Sequence, residues 1–228
     1  MKTISIYRSI FAGLAFMIIA GGLSSCKKNT IDASGQFNIK VVNASATAGP
    51  QSFTLANSVL ISGGLNFTDA SAYINAPSGK NMVMEFKPDG TNSDYATGSL
   101  YTANGVNFTV YLVGKGSSAR VKAFQDDLGA SNDGKVKIKF IHLSDNAPSD
   151  VVVKNSAGST LVNDVSRNIA SGYIYVDPGT FSVQLVGLVS GKNLGTFSFS
   201  DLQAGKIYSL YFTDDANGLL IMNEILHN

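Results

Sequence analysis

Thiols, imidazoles and carboxylates carry most protein chemistry, and this chain is poor in the first two. Its 228 residues hold one cysteine, Cys26, and two histidines, His142 and His227. A nucleophilic thiol needs an imidazole beside it, and zinc needs three or four Cys, His or carboxylate ligands. With the only cysteine taken by the lipidation argued below and only two histidines present, Cys-His nucleophilic catalysis and a multi-His zinc site are both excluded, so no metal site and no cofactor is assigned. A Ser-His-Asp arrangement has one place to form, around His142, with Ser144, Asp145 and Asp150 close in sequence. No Gly-x-Ser-x-Gly elbow is present to expose a nucleophile on a strained turn. His142 therefore reads as a strand-end residue whose ring packs and hydrogen-bonds beside the turn at residues 144–148.

Carboxylates occur as neighbours at Asp126-Asp127 and Asp214-Asp215. Glycosidase chemistry needs two carboxyls flanking a cleft, one of them with a raised pKa, about 5 to 9.5 Å apart. Adjacent aspartates in loops do not supply that. Asp145, Asn146 and Asp150, or Asp126, Asp127, Asn132 and Asp133, offer oxygens of the kind Ca²⁺ accepts, but without the spacing of a known loop. No catalytic residue is assigned.

Cys26 has a different chemistry. Lys2 and Arg8 precede an apolar run over residues 10–23, which ends at Leu23-Ser24-Ser25-Cys26. Positive, apolar and then small is the order of a secretory signal. The run is shorter than the roughly 20 residues needed to span a bilayer. The last four residues resemble the bacterial lipobox, which implies cleavage between Ser25 and Cys26 and acylation of the Cys26 thiol. Acyl chains contribute about 0.8 kcal/mol per buried CH₂, so the protein is expected to be anchored to a membrane without spanning it. Without the signal the chain carries 15 basic and 16 acidic side chains, so no positive field exists to attract nucleic acid.

The elements that hold these residues follow from patterning. With 44% hydrophobic and only 14% charged residues, the chain can build a packed core. Apolar residues alternate at Phe37, Ile39, Val41; Met82, Met84, Phe86; Val136, Ile138, Phe140; and Phe181, Val183, Leu185. Period two predicts half-buried strands. Turn chemistry separates them at Pro77-Ser78-Gly79, Lys87-Pro88-Asp89-Gly90, Asn104-Gly105, Asp177-Pro178-Gly179 and Asn217-Gly218, where Pro presets φ and Gly accepts positive φ.

The chain also repeats itself. Phe37-Asn38-Ile39-Lys40-Val41-Val42-Asn43-Ala44-Ser45 matches Val136-Lys137-Ile138-Lys139-Phe140-Ile141-His142-Leu143-Ser144, so Asn43 stands where His142 does. Ser71-Ala72-Tyr73-Ile74 matches Ser171-Gly172-Tyr173-Ile174, and Tyr111 matches Tyr211. These tyrosines are expected to serve core or sheet packing. The fold class expected is all-β: two tandem antiparallel β-sandwich domains, immunoglobulin-like or transthyretin-like, of about seven strands each, following a cleaved lipoprotein signal. The boundaries are 1–25 for the signal, 26–35 for a flexible tether carrying Cys26, 36–127 for the first sandwich, 128–134 for a linker that permits some bending, and 135–228 for the second. Leu202-Gln203-Ala204-Gly205-Lys206-Ile207-Tyr208 resembles a tyrosine corner, for which the first repeat has Phe108.

Phe140-Ile141-His142-Leu143-Ser144-Asp145-Asn146-Ala147-Pro148, Ser171-Gly172-Tyr173-Ile174, Asp177-Pro178-Gly179-Thr180 and the corner segment resemble the bacterial family called domain of unknown function 4397, over most of residues 135–215. Its typical His-x-Ser-Pro-Asp-Ala-Pro becomes Ser144-Asp145-Asn146-Ala147-Pro148 here, and the first repeat keeps only Asn43-Ala44-Ser45. The resemblance implies β-sandwich repeats in cell-envelope lipoproteins and carries no activity. Cys26-Lys27-Lys28 is similar to lipoprotein starts of the Bacteroidota. The expectation is a non-catalytic binding or adhesion module, lipid-anchored at the outer membrane through Cys26, whose partner is an extracellular polymer or an envelope protein. The alternatives are a structural spacer without a ligand and, more remotely, a hydrolase.

Overall fold

The computed structural model describes residues 29–131 and 134–228; the signal, its Ser25/Cys26 cleavage point and the lipidation site Cys26 lie outside them. Sixteen strands fall into two sets of eight. The first set is β1 (Thr30–Asn43), β2 (Gln51–Leu55), β3 (Ser58–Leu65), β4 (Ile74–Lys80), β5 (Met82–Pro88), β6 (Ala96–Leu100), β7 (Asn107–Val113) and β8 (Arg120–Asp126). The second is β9 (Val136–His142), β10 (Asp150–Asn155), β11 (Thr160–Ser166), β12 (Ile174–Val176), β13 (Gly179–Gly187), β14 (Asn193–Leu202), β15 (Ile207–Asp214) and β16 (Leu220–Leu226).

Each set makes two four-stranded sheets, in the orders β4-β1-β7-β8 and β3-β2-β5-β6, then β12-β9-β15-β16 and β11-β10-β13-β14. The second unit is the first with every strand number raised by eight, as the internal repeat requires. Both are β-sandwiches, of eight strands rather than seven. An immunoglobulin sandwich pairs its strands as ABED and CFG. The pairing here departs from that, and β1 runs parallel to β7 as β9 does to β15. Of the two topologies, the transthyretin-like one remains.

Each sandwich has its own apolar core. Phe37, Ile39, Val41, Phe53, Met82, Met84, Phe86, Val110 and Leu112 fill the first, and Val136, Ile138, Phe140, Val151, Val153, Val183, Leu185, Leu210 and Phe212 fill the second. They include every alternating residue singled out in the sequence except Phe181, which packs partly buried against the second core, and burying each contributes roughly 1.5–3 kcal/mol.

The other face of the inner strands does not meet water. β9 is buried at all seven positions, including Lys137 and Lys139. The expectation of half-buried strands fails for β1 and β9, and β7 and β15 beside them are covered in the same way, because a third cluster lies between the units: Val42, Ala44, Tyr111 and Val113 against Ile141, Leu143, Tyr211 and Ile225. Strands paired in parallel are typically covered on both faces. The sheet β4-β1-β7-β8 packs on the sheet β12-β9-β15-β16, and the molecule is four layers deep. The bending expected of the linker is therefore replaced by a packed seam. Tyr111 and Tyr211 sit in that seam, with ring centroids 5.4 Å apart, rather than in either core.

Two further expectations change. Pro77-Ser78-Gly79 forms part of β4 rather than a turn; β4 is an edge strand, where a proline without an N–H costs no ladder bond. Residues 30–35, expected in the tether, begin β1, with Thr30 opposite Lys80 and Ile31 opposite Gly79.

Candidate functional site

The family-like motif at residues 142–148 is a folded turn. The His142 ring is fully buried, 4.5 Å from Phe212, and its Nε2 lies 2.7 Å from the Pro148 carbonyl. Burial lowers its pKa, so it is neutral. The expected packing role holds, and Asn43 repeats it by donating from Nδ2 to the Gly49 carbonyl at 3.0 Å. Asp214 holds the turn from the next strand, accepting from Ser144 Oγ and from the backbone N–H of Asp145 and Asn146. Asp145 is engaged by Arg120 of the first unit at 2.9 Å, and Asp150 accepts from the Ser149 and Ser166 hydroxyls. The carboxylates near His142 are thus committed to separate partners.

The tyrosine corner is present. Tyr208 Oη accepts a hydrogen bond from the Gln203 N–H at 3.2 Å, five residues upstream. Phe108 has no hydroxyl with which to do the same.

The densest group of titratable side chains lies in the seam, where sequence reasoning placed no site. Asp126, at the end of β8, is wholly buried at its carboxylate and pairs with Lys139 Nζ at 2.6 Å. Its Oδ2 also accepts from Thr109 Oγ1 at 2.7 Å and Tyr73 Oη at 2.8 Å. His227 faces it, with Nε2 3.7 Å from Asp126 Oδ1 and 2.7 Å from Ser209 Oγ. His227 Nδ1 is 2.7 Å from Tyr73 Oη. Since Tyr73 has one proton and gives it to Asp126, Nδ1–H donates to Tyr73 and Nε2 accepts from Ser209, a tautomer assigned from the hydrogen bonds.

Burial lowers the His227 pKa to about 4; Asp126 opposes this, and Lys139 and Lys40 reinforce it. Burial likewise lowers Lys139 and Lys40 and raises Tyr73, in each case against the charged form. Lys137 makes a neighbouring pair with Asp127 at 2.6 Å and reaches the carbonyls of Asp127 and Gly129. Tyr73 lies under the Lys40 ammonium and Tyr173 under those of Lys137 and Lys139, at 4.7 to 5.3 Å from the ring centroids.

Ser209, His227 and Asp126 are the three residue types of a hydrolytic triad, but the geometry differs from one. Asp126 approaches the same ring nitrogen as the serine, whereas a triad aspartate holds the opposite nitrogen. Ser209 is fully buried under both units, out of reach of a substrate. What the cluster does is bind one unit to the other. One sequence signal could have found it: tyrosines and lysines recurring at equivalent positions on the non-core face of the repeated strands.

Of the oxygens considered for Ca²⁺, those of Asn132 and Asp133 lie outside the described residues, and the others do not converge. Asp145 pairs with Arg120, Asp126 with Lys139 and Asp127 with Lys137, and among the described residues no three His, Cys, Asp or Glu side chains come together.

At the other end of the seam a small cleft of about 80 Å³ lies between the units, bordered by Ser45, Lys115, Asp145, Asn146 and Asp215. Arg120, which binds Asp145 and the Ser118 carbonyl of that border, also donates from Nε to Asn168 Oδ1 at 2.7 Å.

No curated protein matches the sequence. Among solved structures, one from Bacteroides uniformis, provisionally assigned to cell adhesion, aligns over 86% of this chain and 98% of its own at 10% identity. Its TM-score of 0.26 is too low to carry an argument about fold or role. The family model described as Domain of unknown function (DUF4397) matches residues 37–154, from the first core strand through nearly all of β10. That span takes in the first unit from Phe37 onward and overlaps the motif resemblance at the start of the second, and it covers more than half of the chain: the protein belongs to the DUF4397 family.

Proposed function

We infer that the protein is a non-catalytic, envelope-anchored lipoprotein, held to a membrane through acylated Cys26, that presents two fused sandwiches as one rigid binding or adhesion module. One observation carries this reading: both units point the same way. The cleft at one end of the seam joins loops that follow β1, β7, β9 and β15. The start of β1, the connection from β8 to β9 and the end of β16 all lie at the opposite end. A chain anchored through its N-terminal segment therefore faces its tip loops away from the membrane.

The tips are unequal. At the second unit's tip, Ile169, Leu188, Val189 and Leu219 are 55%, 44%, 97% and 65% exposed. The first unit exposes no large apolar side chain at that end among the described residues, and its β5–β6 loop is Asp89-Gly90-Thr91-Asn92-Ser93-Asp94. Apolar groups gathered at one tip favour a contact surface, and loops on a rigid scaffold are where recognition is usually placed. A spacer gains reach by stacking its units end to end; these lie side by side.

The test is a pull-down from envelope extract and a polymer array, comparing the full chain with a Val189→Asp/Leu219→Asp variant. Selective loss of a captured component with unchanged thermal stability is expected. Equal capture by both forms would remove the tip from the reading. Cys26→Ala is expected to abolish membrane partitioning, and unaltered partitioning would remove the anchor.

A further inference from the structure

We propose that the second unit carries a strand-accepting groove, which takes the N-terminal segment of a second copy of this chain. The template is inside the molecule. In the first unit, Ile31 lies over a groove made by the β2–β3 hairpin, β4 and the start of β5, against Leu55, Leu60, Ala76, Pro77 and Met82. The segment is held by ladder pairing of Thr30 with Lys80 and Ile31 with Gly79, and by Asn29 Oδ1, which accepts from the Val83 N–H at 2.8 Å. About 20 Å³ remains under Ile31 on the side of Leu55 and Met82, and a shallower hollow of about 350 Å³ opens on its other side, toward Ser78 and Thr102.

The same elements of the second unit, the β10–β11 hairpin, β12 and the start of β13, form a groove lined by Leu161, Tyr175, Val176, Pro178 and Phe181, with about 360 Å³ open. Among the described residues no preceding segment lines it, and Lys135, just before β9, reaches only its rim, pairing with Asp177 at 2.6 Å. The chain before β9 is drawn to the seam, where Asp127 and Gly129 bind Lys137. β12 is an edge strand of three residues, and edge strands present unpaired backbone groups to an incoming chain.

A pair of glycines marks the difference. A Cβ on Gly79 would stand 2.2 Å from the Thr30 carbonyl, so glycine there admits the segment. A Cβ on Gly179, the matching glycine, would meet nothing within 4 Å.

The occupant follows from what already fits. Residues 29–31 bring an aliphatic side chain and extended backbone to a groove of this kind. Their own hold is slight, because the β1–β4 register breaks between Ile31 and Gln36 and the side chains of 30–34 are exposed. Transfer to a neighbour is a heterologous contact, which propagates head to tail rather than closing.

The experiment uses the full chain bearing Ile31→Cys and Phe181→Cys under mild oxidation. Covalent dimers and higher ladders are expected, increasing severalfold when Gly79→Ala displaces the segment from its own unit. A monomer band alone in both backgrounds would overturn the proposal. In parallel, a labelled peptide of residues 29–36 is titrated into the full chain. Saturable binding is expected, weakened at least tenfold by Ile31→Asp in the peptide or Val176→Arg in the protein. Peptide binding without any inter-copy cross-link would also overturn it, since the groove would then serve a foreign strand.

Discussion

The two units share a topology, yet where they meet they are made of different residues, and the difference shows how a duplicated surface becomes an interface. The ladders set Gln125 level with Leu226, and Asp126 with His227, along β8 and β16. Lys139 Nζ donates to the Gln125 carbonyl at 2.9 Å, and its counterpart Lys40 donates to the Leu226 carbonyl at 2.6 Å. Thr109 bonds Asp126 as its counterpart Ser209 bonds His227. The seam thus has a pseudo-two-fold, like the self-complementary face of a symmetric dimer. In such a face a residue near the axis meets itself, and two carboxylates 3.7 Å apart could not both be ionised. Here the position is Asp126 on one side and neutral His227 on the other. Only one side keeps a buried charge pair.

Breaking that asymmetry should give the largest effect. Asp126→Ala strands the Lys139 ammonium in a site that is 2% exposed, and removing one partner of a buried pair costs about 3–5 kcal/mol. Lys40→Met, on the side without a carboxylate partner, should cost about 1 kcal/mol, the worth of one hydrogen bond. Urea denaturation of both variants tests this, with Asp126→Ala/Lys139→Met expected to recover most of the loss. Equal costs for the two single variants would mean that the charge pair adds nothing the carbonyl contact lacks.

Acid should weaken the seam next. An unfolded histidine has its pKa near 6.5, and His227 is lowered to about 4 by burial. The unfolded state therefore binds the proton first, so His227 stabilises fully above about pH 6.5 and loses its contribution as pH falls toward 4. The integrated loss is on the order of 3 kcal/mol. Denaturation midpoints between pH 7 and 4 should fall for the native chain and fall less for His227→Gln. Identical pH slopes in the two would place the acid sensitivity elsewhere.

The strands, the duplication and the turn around His142 were legible because each is written locally. Val136, Ile138 and Phe140 announce a strand, and Asn43 and His142 occupy one repeated position. The seam was not legible, for a physical reason. Lys137 and Lys139 alternate with apolar residues as solvent-facing lysines do, and only the opposing Asp126 and Asp127 make their burial tolerable. Those carboxylates come from the other unit, and nothing in a period of two reports a partner sheet. Pro77 misled in the same way, since an edge strand and a turn accept proline equally and the choice depends on tertiary neighbours.

A smaller effect separates the corners. Tyr208→Phe removes the oxygen that accepts the Gln203 N–H and should cost about 1 kcal/mol, making the second unit resemble the first at Phe108. Native-state hydrogen exchange at the Gln203 amide should rise several-fold. Unchanged protection would show that the backbone there is held by its turn alone.

The smallest effect, that of Tyr211→Phe, lies on the axis itself. Tyr211 packs against Tyr111 at 5.4 Å, yet its hydroxyl is buried without a hydrogen-bond partner among the described residues. A buried hydroxyl left unpaired is a desolvation cost of about 1–3 kcal/mol, while the ring supplies the contact. Tyr211→Phe keeps the ring and removes the cost, so its stability should equal or exceed that of the native chain by up to about 1 kcal/mol. Tyr211→Ala should lose about 3–5 kcal/mol, as deletion of a large buried side chain does. If Tyr211→Phe instead destabilises by 1 kcal/mol or more in urea, the hydroxyl is bonded in solution, and the apolar end of the seam depends on polar pairing as much as the Asp126 end does.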